Sequence, residues 1–575
     1  MATQSSGSEL TLERRPWDAL AKRVYARLGA LVTSRELVWA LVAVGVVLRA
    51  RQYLLNRSLW LDESFLSVDL IDRSFRELFE PLQFNQASPA GFLVIEKLMI
   101  EVFGKSEYAL RAFPLVCGLA SLPLFVRLAQ RVLAPAVVPL VLGLFALSGA
   151  LVYYSSEVKP YAVDVLATLV LYLIGLSLAS DPRNRRLTIL AGVVGAVLIQ
   201  ICYVAIFVAA AIGVTLLGER VWRRAWRDVR ILMLAGAPWA LSAALFLWLY
   251  GRNLTHYTFE GDVFAKVPTS PGNISWWKSP IEGLAGLVGV YHTIHEPAAP
   301  ITIVAGLLCI LGALDLFARR RLTFFIIGTP VIPMLAASAL QKYPLLPRTL
   351  LFLVPLVLVL LGRGLVAAVR PLGAARGRLA VVVLTLALVG YPAVSAAKNL
   401  FSPNPRENMK WALRYVSQHW RPGDVLYLHY PTQYAFTYYG ECGCFRTPRD
   451  PSGAPLWPVG RAPRARPWIQ MPRTLIPENR NLIVGVFAGH YHRGIYRADV
   501  ARIARHRRAW ILITFVVNPK ERRFIRRDLL GRLDRRGMRV LSLNRPSTRL
   551  YLYEFRRPER SDASARSATS LQAAR

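Results

Sequence analysis

Hydrophobic residues in this chain come in long unbroken blocks rather than in alternation. Blocks of the roughly 17 to 25 residues that a bilayer crossing needs fall near 34–53, 109–130, 135–153, 161–179, 187–201, 203–218, 229–250, 298–317, 322–340, 347–361 and 379–397. The fifth and sixth form one apolar run, in which Gln200, Cys202 and Tyr203 mark a turn. Between the first two blocks, Phe75–Phe79 and Pro89–Phe103 have helical apolar spacing and predict helices lying in the interface. Beyond residue 398 the pattern becomes that of a soluble domain. Met409, Leu413, Val416 and Trp420 are spaced as on a helix, and Pro422-Gly423-Asp424 turns into a strand from Val425 to His429. Strands are expected over 481–487, 510–516, 538–543 and 550–555, with helices over 498–508 and 519–536, which implies a small α/β layer with a partly parallel sheet. The predicted fold class is a polytopic α-helical membrane protein of about eleven spans, N-terminus inside, with an extracytoplasmic α/β domain. Its expected divisions are a cytoplasmic segment 1–33, a transmembrane domain 34–397, the outer domain 398–557 and a disordered Ser-, Ala- and Arg-containing tail 558–575.

Composition agrees with this pattern. Of 575 residues 54% are hydrophobic and 18% charged, too few charges and too much apolar sequence for a soluble protein of this length. The net charge of +36 fixes an orientation. Arg14, Arg15, Lys22, Arg23 and Arg27 precede the first block. Arginine-rich loops follow at 183–186, 220–230, 319–321 and 363–378, and with eleven spans all of these fall on one face, the cytoplasmic one. No cleavable-signal pattern surrounds the first block. The loops at 54–108, 154–160 and 251–297 and everything after 398 then face outward, as expected of a plasma (inner) membrane protein with an extracytoplasmic working face. The outer domain is rich in arginine, Arg505, Arg507, Arg508, Arg522, Arg523, Arg526 and Arg527 among them. These residues suit an anionic glycan or lipid headgroup, and a simply solvated basic face is the competing reading. A domain on the outer face has no access to nucleic acid.

Five cysteines are too few for a disulfide framework. Cys117, Cys202 and Cys309 fall in apolar blocks and read as small hydrophobes. Cys442 and Cys444 allow a disulfide or a metal ligand pair, but their spacing favours plain loop residues.

Three outward loops concentrate chemistry. Leu59-Trp60-Leu61-Asp62-Glu63-Ser64-Phe65 places two carboxylates just beyond the first span. An acid at the bilayer centre costs roughly 2.5 to 3.5 kcal/mol, so the pair belongs at the interface or in a hydrated cavity. One of the two can be a helix cap. Tyr153-Tyr154-Ser155-Ser156-Glu157-Val158-Lys159-Pro160-Tyr161 gathers a carboxylate, an ammonium and three phenols in a very short loop, where an aromatic belt and a local ion pair compete with a substrate-binding role. Gln341-Lys342-Tyr343-Pro344-Leu345-Leu346-Pro347-Arg348 sets two cations at the membrane surface against the topological trend, suited to an anionic headgroup. His292, His295 and Glu296 have one-turn spacing, with His256, Tyr257 and Asp262 in the same loop. Without further ligands this reads as an ordinary loop. No Gly-rich phosphate loop opens a helix after a strand, and no Gly-x-Ser-x-Gly elbow occurs in strand–turn–helix context.

Taken together, these segments resemble polytopic glycosyltransferases of the GT-C class, the group of protein O-mannosyltransferases and the lipid A aminoarabinose transferase (glycosyltransferase family 39-like). The likeness covers about 35–400 and is carried by Trp60-Leu61-Asp62-Glu63, by Ser88-Pro89-Ala90-Gly91-Phe92, by Phe103 to Arg111 entering the second span, and by Tyr154 to Tyr161. Lys159 replaces the usual arginine of the last motif, and Gln86-Ala87-Ser88-Pro89 replaces a His-Pro-Pro or Gln-Pro-Pro stretch. The resemblance implies a hexosyl- or pentosyltransferase that moves a sugar, with inversion, from a polyprenyl-phosphate donor to a glycan, lipid or protein acceptor of the cell envelope. Asp62 is the favoured general base and Glu63 the alternative. Gln86, Arg111, Tyr154, Glu157, Lys159, Tyr161, Lys342, Tyr343 and Arg348 are the expected substrate-binding residues, with Arg348, Lys342 and Lys159 on the lipid phosphate. No cofactor is required, and a divalent metal on the acid pair is compatible. The competing class is a polyprenyl-lipid or glycan transporter or flippase, which would place ionisable groups near the midplane on inverted repeats. Neither feature is visible in this sequence.

Overall fold

A computed structural model describes residues 34–84, 86–256, 299–340, 342–401, 407–457, 475–486, 494–516 and 519–555. Helices occupy every predicted apolar block. Among the described residues, eight are long and apolar enough to cross a membrane: Arg35–Leu54, Glu107–Val132, Tyr161–Ser180, Tyr203–Trp222, Trp226–Leu249, Arg321–Ala339, Leu351–Leu372 and Ala380–Phe401. Of the other three predicted spans, two are shorter or interrupted and the third is the continuous 21-residue helix Ala299–Arg319. Arg185–Ile201 has 17 residues and ends at the expected turn, where Cys202 separates it from the next helix. Ala299–Arg319 packs closely along Val354–Val369, with Gly312 and Gly364 directly against the backbones of Leu360 and Leu308, as small residues do at membrane helix crossings. The segment predicted at 135–153 is broken at Ser148 into Val138–Leu147 and Gly149–Tyr154. The break leaves carbonyls unsatisfied in an apolar region, which is tolerated only when protein groups bond them. Arg49 of the first helix does this, donating to Phe145 O at 3.4 Å and Ala146 O at 3.3 Å.

The residues between the first two spans fold as α1 (Leu61–Asp72), a short 3-10 turn at Glu77–Phe79 and α2 (Ala90–Phe103). The last two were expected from their spacing and α1 was not. Leu98, Val102 and Phe103 of α2 are exposed, an apolar stripe consistent with a helix lying at the membrane surface.

The C-terminal domain contains a five-stranded sheet of order β2-β1-β3-β5-β4, with β1 (Asp424–Leu428), β2 (Leu482–Val484), β3 (Arg508–Thr514), β4 (Met538–Arg545) and β5 (Thr548–Glu554). β1 pairs in parallel with β2 and β3, while β5 pairs antiparallel with β3 and β4, so the sheet is partly parallel as predicted. Helices Met409–Gln418 and Arg497–Ile503 lie where expected, and the helix predicted at 519–536 is a chain of short turns containing a π-helical stretch at Ile525–Leu530. Cys442 and Cys444, read from sequence as plain loop residues, are joined in a disulfide with their Cα atoms 5.3 Å apart. Their chain direction reverses at Gly443, whose φ of 66° brings the two Cβ atoms to the same side.

Between these strands the sequence left one element unread. α3 (Thr432–Glu441) follows β1 and packs on α1. Its Tyr439 hydroxyl accepts from Leu59 N at 2.7 Å, Tyr438 donates to Lys105 O at 3.1 Å, and Tyr434 meets Phe65 and Phe84 edge-on. Lys410 adds a bond to Asn56 O at 2.6 Å and an ion pair with Glu107 at 2.7 Å. The C-terminal domain thus sits directly on the loop that carries the acid pair.

Candidate active site

The two adjacent acids have opposite environments. Successive residues on a helix point about 100° apart, so in the first turn of α1 one side chain turns into the protein and the other away. Glu63 is completely buried. Its Oε1 accepts from Arg111 Nε at 3.0 Å and Val158 N at 3.1 Å, while Oε2 accepts from Arg111 Nη2 at 2.9 Å, Trp60 N at 3.0 Å and Arg57 Nη1 at 3.4 Å. Five donors thus converge on one carboxylate. Burial alone would raise its pKa, but the guanidiniums of Arg111 and Arg57 and the Trp60 N–H outweigh that and hold it at about 2. The bond to Trp60 is the helix-capping role anticipated for one acid of the pair. The bonds to Arg111 and Val158 tie α1 to the second span and to the 154–160 loop.

Asp62 keeps 24% of its side chain exposed and meets Arg348 at 3.0 Å, with 31% of that arginine exposed. Two loops about 290 positions apart in sequence therefore meet in an accessible ion pair. The third loop joins them through Lys159. Its ammonium is buried and donates to Gln86 Oε1 at 2.6 Å. Burial lowers the Lys159 pKa, and the field of Asp62 opposes this while that of Arg348 adds to it. Burial also works against the charge on Arg348, but the surrounding Tyr161, Asp62, Tyr154 and Glu157 more than offset it and push its pKa up. Tyr161 and Tyr154 stack edge-on at 5.1 Å, forming an aromatic wall beside these charges. The loop can approach so closely because the second span carries Gly118, where a Cβ would lie 2.6 Å from that of Ser155.

Asp62, Gln86, Tyr154, Glu157, Lys159, Tyr161 and Arg348 therefore form one neighbourhood. Three other expected residues do not share it. Arg111 is enclosed, its guanidinium spent on Glu63 and on Arg57 O at 2.7 Å. Tyr343 is buried against Phe207 and donates to Thr349 O at 2.7 Å, folding its own loop. Lys342 is exposed, with no contact to the cluster among the described residues. The loop holding Tyr257, Asp262, His292, His295 and Glu296 lies outside the described residues, which stop at His256 and resume at 299. Arg57 was missed from sequence. It pairs with Glu63, donates to Ser156 O at 3.1 Å and stacks on Tyr153 at 4.3 Å. A cation only six residues before an outward acid, against the charge trend, was the available signal. Among the described residues no group of three or more His, Cys, Asp or Glu side chains could hold a metal, and the cations around Asp62 make a poor donor set.

The fold and this site define an integral membrane protein with an acid–base cluster at one end of its helix bundle, covered by a sheet domain. Two solved structures of ArnT from Cupriavidus metallidurans resemble it. The one bound to undecaprenyl phosphate has 12% identity and a TM-score of 0.46, covering 90% of this chain and 97% of that one. The apo form has 11% identity and a TM-score of 0.44, with 93% and 97% covered. An Archaeoglobus fulgidus oligosaccharyltransferase in complex with Zn and sulfate shares 10% identity over 72% of this chain and 62% of that chain, with a TM-score of 0.41. No family model and no curated protein matches.

Proposed function

We propose that this protein is a membrane glycosyltransferase of the GT-C type, transferring a sugar from a polyprenyl-phosphate donor to a cell-envelope acceptor on the extracytoplasmic face, with Asp62 as general base. The observation that carries this reading is the partly exposed Asp62–Arg348 pair, with Lys159 close by. In this reading a proton acceptor lies beside two cations suited to a phosphate, at one end of the helix bundle. The family resemblance of the loops carrying Asp62 and Lys159 supplies the donor class.

In this mechanism Asp62 takes the proton of an acceptor hydroxyl as its oxygen attacks the anomeric carbon. The new carbon–oxygen bond forms opposite the breaking bond to the phosphate oxygen, so the configuration inverts. The electron pair of the broken bond stays on the lipid phosphate, where Arg348 and Lys159 stabilise the added charge. Arg348 can hold two phosphate oxygens at once, and its bond to Asp62 in the substrate-free protein keeps both side chains at the mouth. Gln86 orients the Lys159 ammonium. Glu63, with Arg111 and Arg57, is assigned a positioning role. No step is routed through a metal, so activity should survive a chelator.

The test is incubation of purified protein with radiolabelled undecaprenyl-phosphate sugars, pentose and hexose, together with an envelope extract. A transferase releases polyprenyl phosphate and labels an acceptor, whereas a transporter moves the lipid without consuming it. Movement of labelled lipid across proteoliposomes without hydrolysis or transfer would overturn the proposal.

A further inference from the structure

The sheet domain carries a second concentration of positive charge, separate from the Asp62 site. An open groove of about 310 Å³ lies between the β4–β5 hairpin and the turns at 519–530. Arg522, Arg526, Arg545 and Arg549 line it together with Ser547 and Tyr551, and no Asp or Glu does. None of the four guanidiniums forms an ion pair among the described residues, unlike Arg502 with Glu478 and Asp499, Arg508 with Asp424, Arg532 with Asp528 and Arg539 with Asp534, which are neutralised by neighbouring acids. Four uncompensated cations converging on one groove repel each other, so the groove gains by taking up an anion.

Its position says which kind. Thr548, at the hairpin turn, accepts from Asn408 N at 3.1 Å, and Arg545 lies over the Trp411 ring at 5.2 Å. Lys410, between those two residues, bonds Asn56 O, two positions past the end of the first span, and pairs with Glu107 at the start of the second. These contacts set the hairpin end of the groove against the segment 408–411, close in sequence to the last span. We propose that the groove binds the phosphate of an anionic phospholipid headgroup in the adjoining leaflet, anchoring the domain over the site. Arginine suits this role because its planar fork matches phosphate oxygens in pairs.

The test uses full-length protein in neutral-detergent micelles doped with a photo-crosslinkable phosphatidylglycerol. Adducts are quantified on peptides spanning 519–555 as lipid concentration rises, and a phosphatidylcholine probe with the same chains serves as the neutral arm. Each arginine near a charged membrane surface is worth about a fivefold change in affinity, so Arg526→Gln/Arg545→Gln/Arg549→Gln should weaken labelling on the order of 100-fold. Arg505→Gln/Arg507→Gln/Arg523→Gln removes the same charge from exposed positions outside the groove and should change it less than threefold. Equal losses in both triples or equal labelling by phosphatidylcholine would each overturn the proposal, and millimolar inorganic pyrophosphate at constant ionic strength should compete with the lipid probe. Circular dichroism confirms that the triple folds. Arg522→Gln/Arg526→Gln, on exposed turns, is the second variant if it does not.

Discussion

Exchanging each acid of the Asp62–Glu63 pair for its amide should produce two different defects. Glu63→Gln keeps the shape but leaves Arg111 and Arg57 buried without a counter-charge, and turns one acceptor oxygen into a donor among donors. Breaking a buried pair by neutralising one partner costs about 3 to 5 kcal/mol. The pKa gives an independent figure, since a carboxyl held at about 2 rather than 4.5 corresponds to roughly 3 kcal/mol. Asp62→Asn instead breaks a partly exposed pair worth at most about 1 kcal/mol, while removing the base lowers turnover by about 10²- to 10⁴-fold. Thermal unfolding in detergent, together with donor consumption, separates the two. Glu63→Gln should lose several degrees of Tm, and Asp62→Asn should unfold like wild type but turn over hardly at all.

The linkage sign adds a second readout. Because folding lowers the pKa of Glu63, its stabilisation is fully present above pH 4.5 and is lost as pH falls from there towards 2. That acid-sensitive component should vanish in Glu63→Gln. Asp62→Asn with turnover within threefold of wild type would refute the base assignment. Glu63→Gln with unchanged Tm and acid profile would refute the buried triad as the element holding the loops together.

Arg348→Ala should lower kcat/KM for the donor by about 10- to 100-fold, the range for a charge-assisted bond to phosphate, with Tm nearly unchanged; Arg348→Lys should recover part of it, and unchanged donor kinetics would exclude the phosphate role. Gly118→Ala places a Cβ 2.6 Å from that of Ser155 and should push the 155–160 loop outward, lowering turnover by up to about 100-fold; Ser155→Gly in the same chain should restore it, and failure of that rescue would break the link. In the sheet domain, burial lowers the His429 pKa to about 4, against a hydrogen bond to the Thr514 backbone that raises it. Its folded form resists protonation, so stability is complete above pH 6.5 and declines as pH falls towards 4, a fall that limited proteolysis should detect and His429→Phe should flatten.

The parts of this site legible from sequence are those that lipid forbids. Asp62, Lys159 and Arg348 stand out because ionisable groups at span ends must find water, a partner or a ligand, and the charge pattern put all three loops on one face. The roles within the acid pair were not legible. Asp62 and Glu63 differ by one position in one helix, and the choice between them is made by Arg111, 48 residues on, and by Arg57, six residues back. α3 was hidden for a related reason. Residues Thr432–Tyr439 are all buried, so the helix has no polar face and therefore no periodicity to read.

These two blind spots meet in one place. Tyr439 of the unread helix accepts from Leu59 N, four residues before Glu63, and the triad of Glu63 with Arg57 and Arg111 holds the following turn and the 154–160 loop. With one acid fixed by five donors and its backbone clamped from above, the neighbouring acid keeps one ion pair among the described residues, with Arg348, and stays partly exposed. A base must be able to leave its resting partner for a substrate hydroxyl, and a five-donor carboxylate cannot do so without exposing two buried guanidiniums. The burial of Glu63 is therefore the physical reason to assign the proton transfer to Asp62.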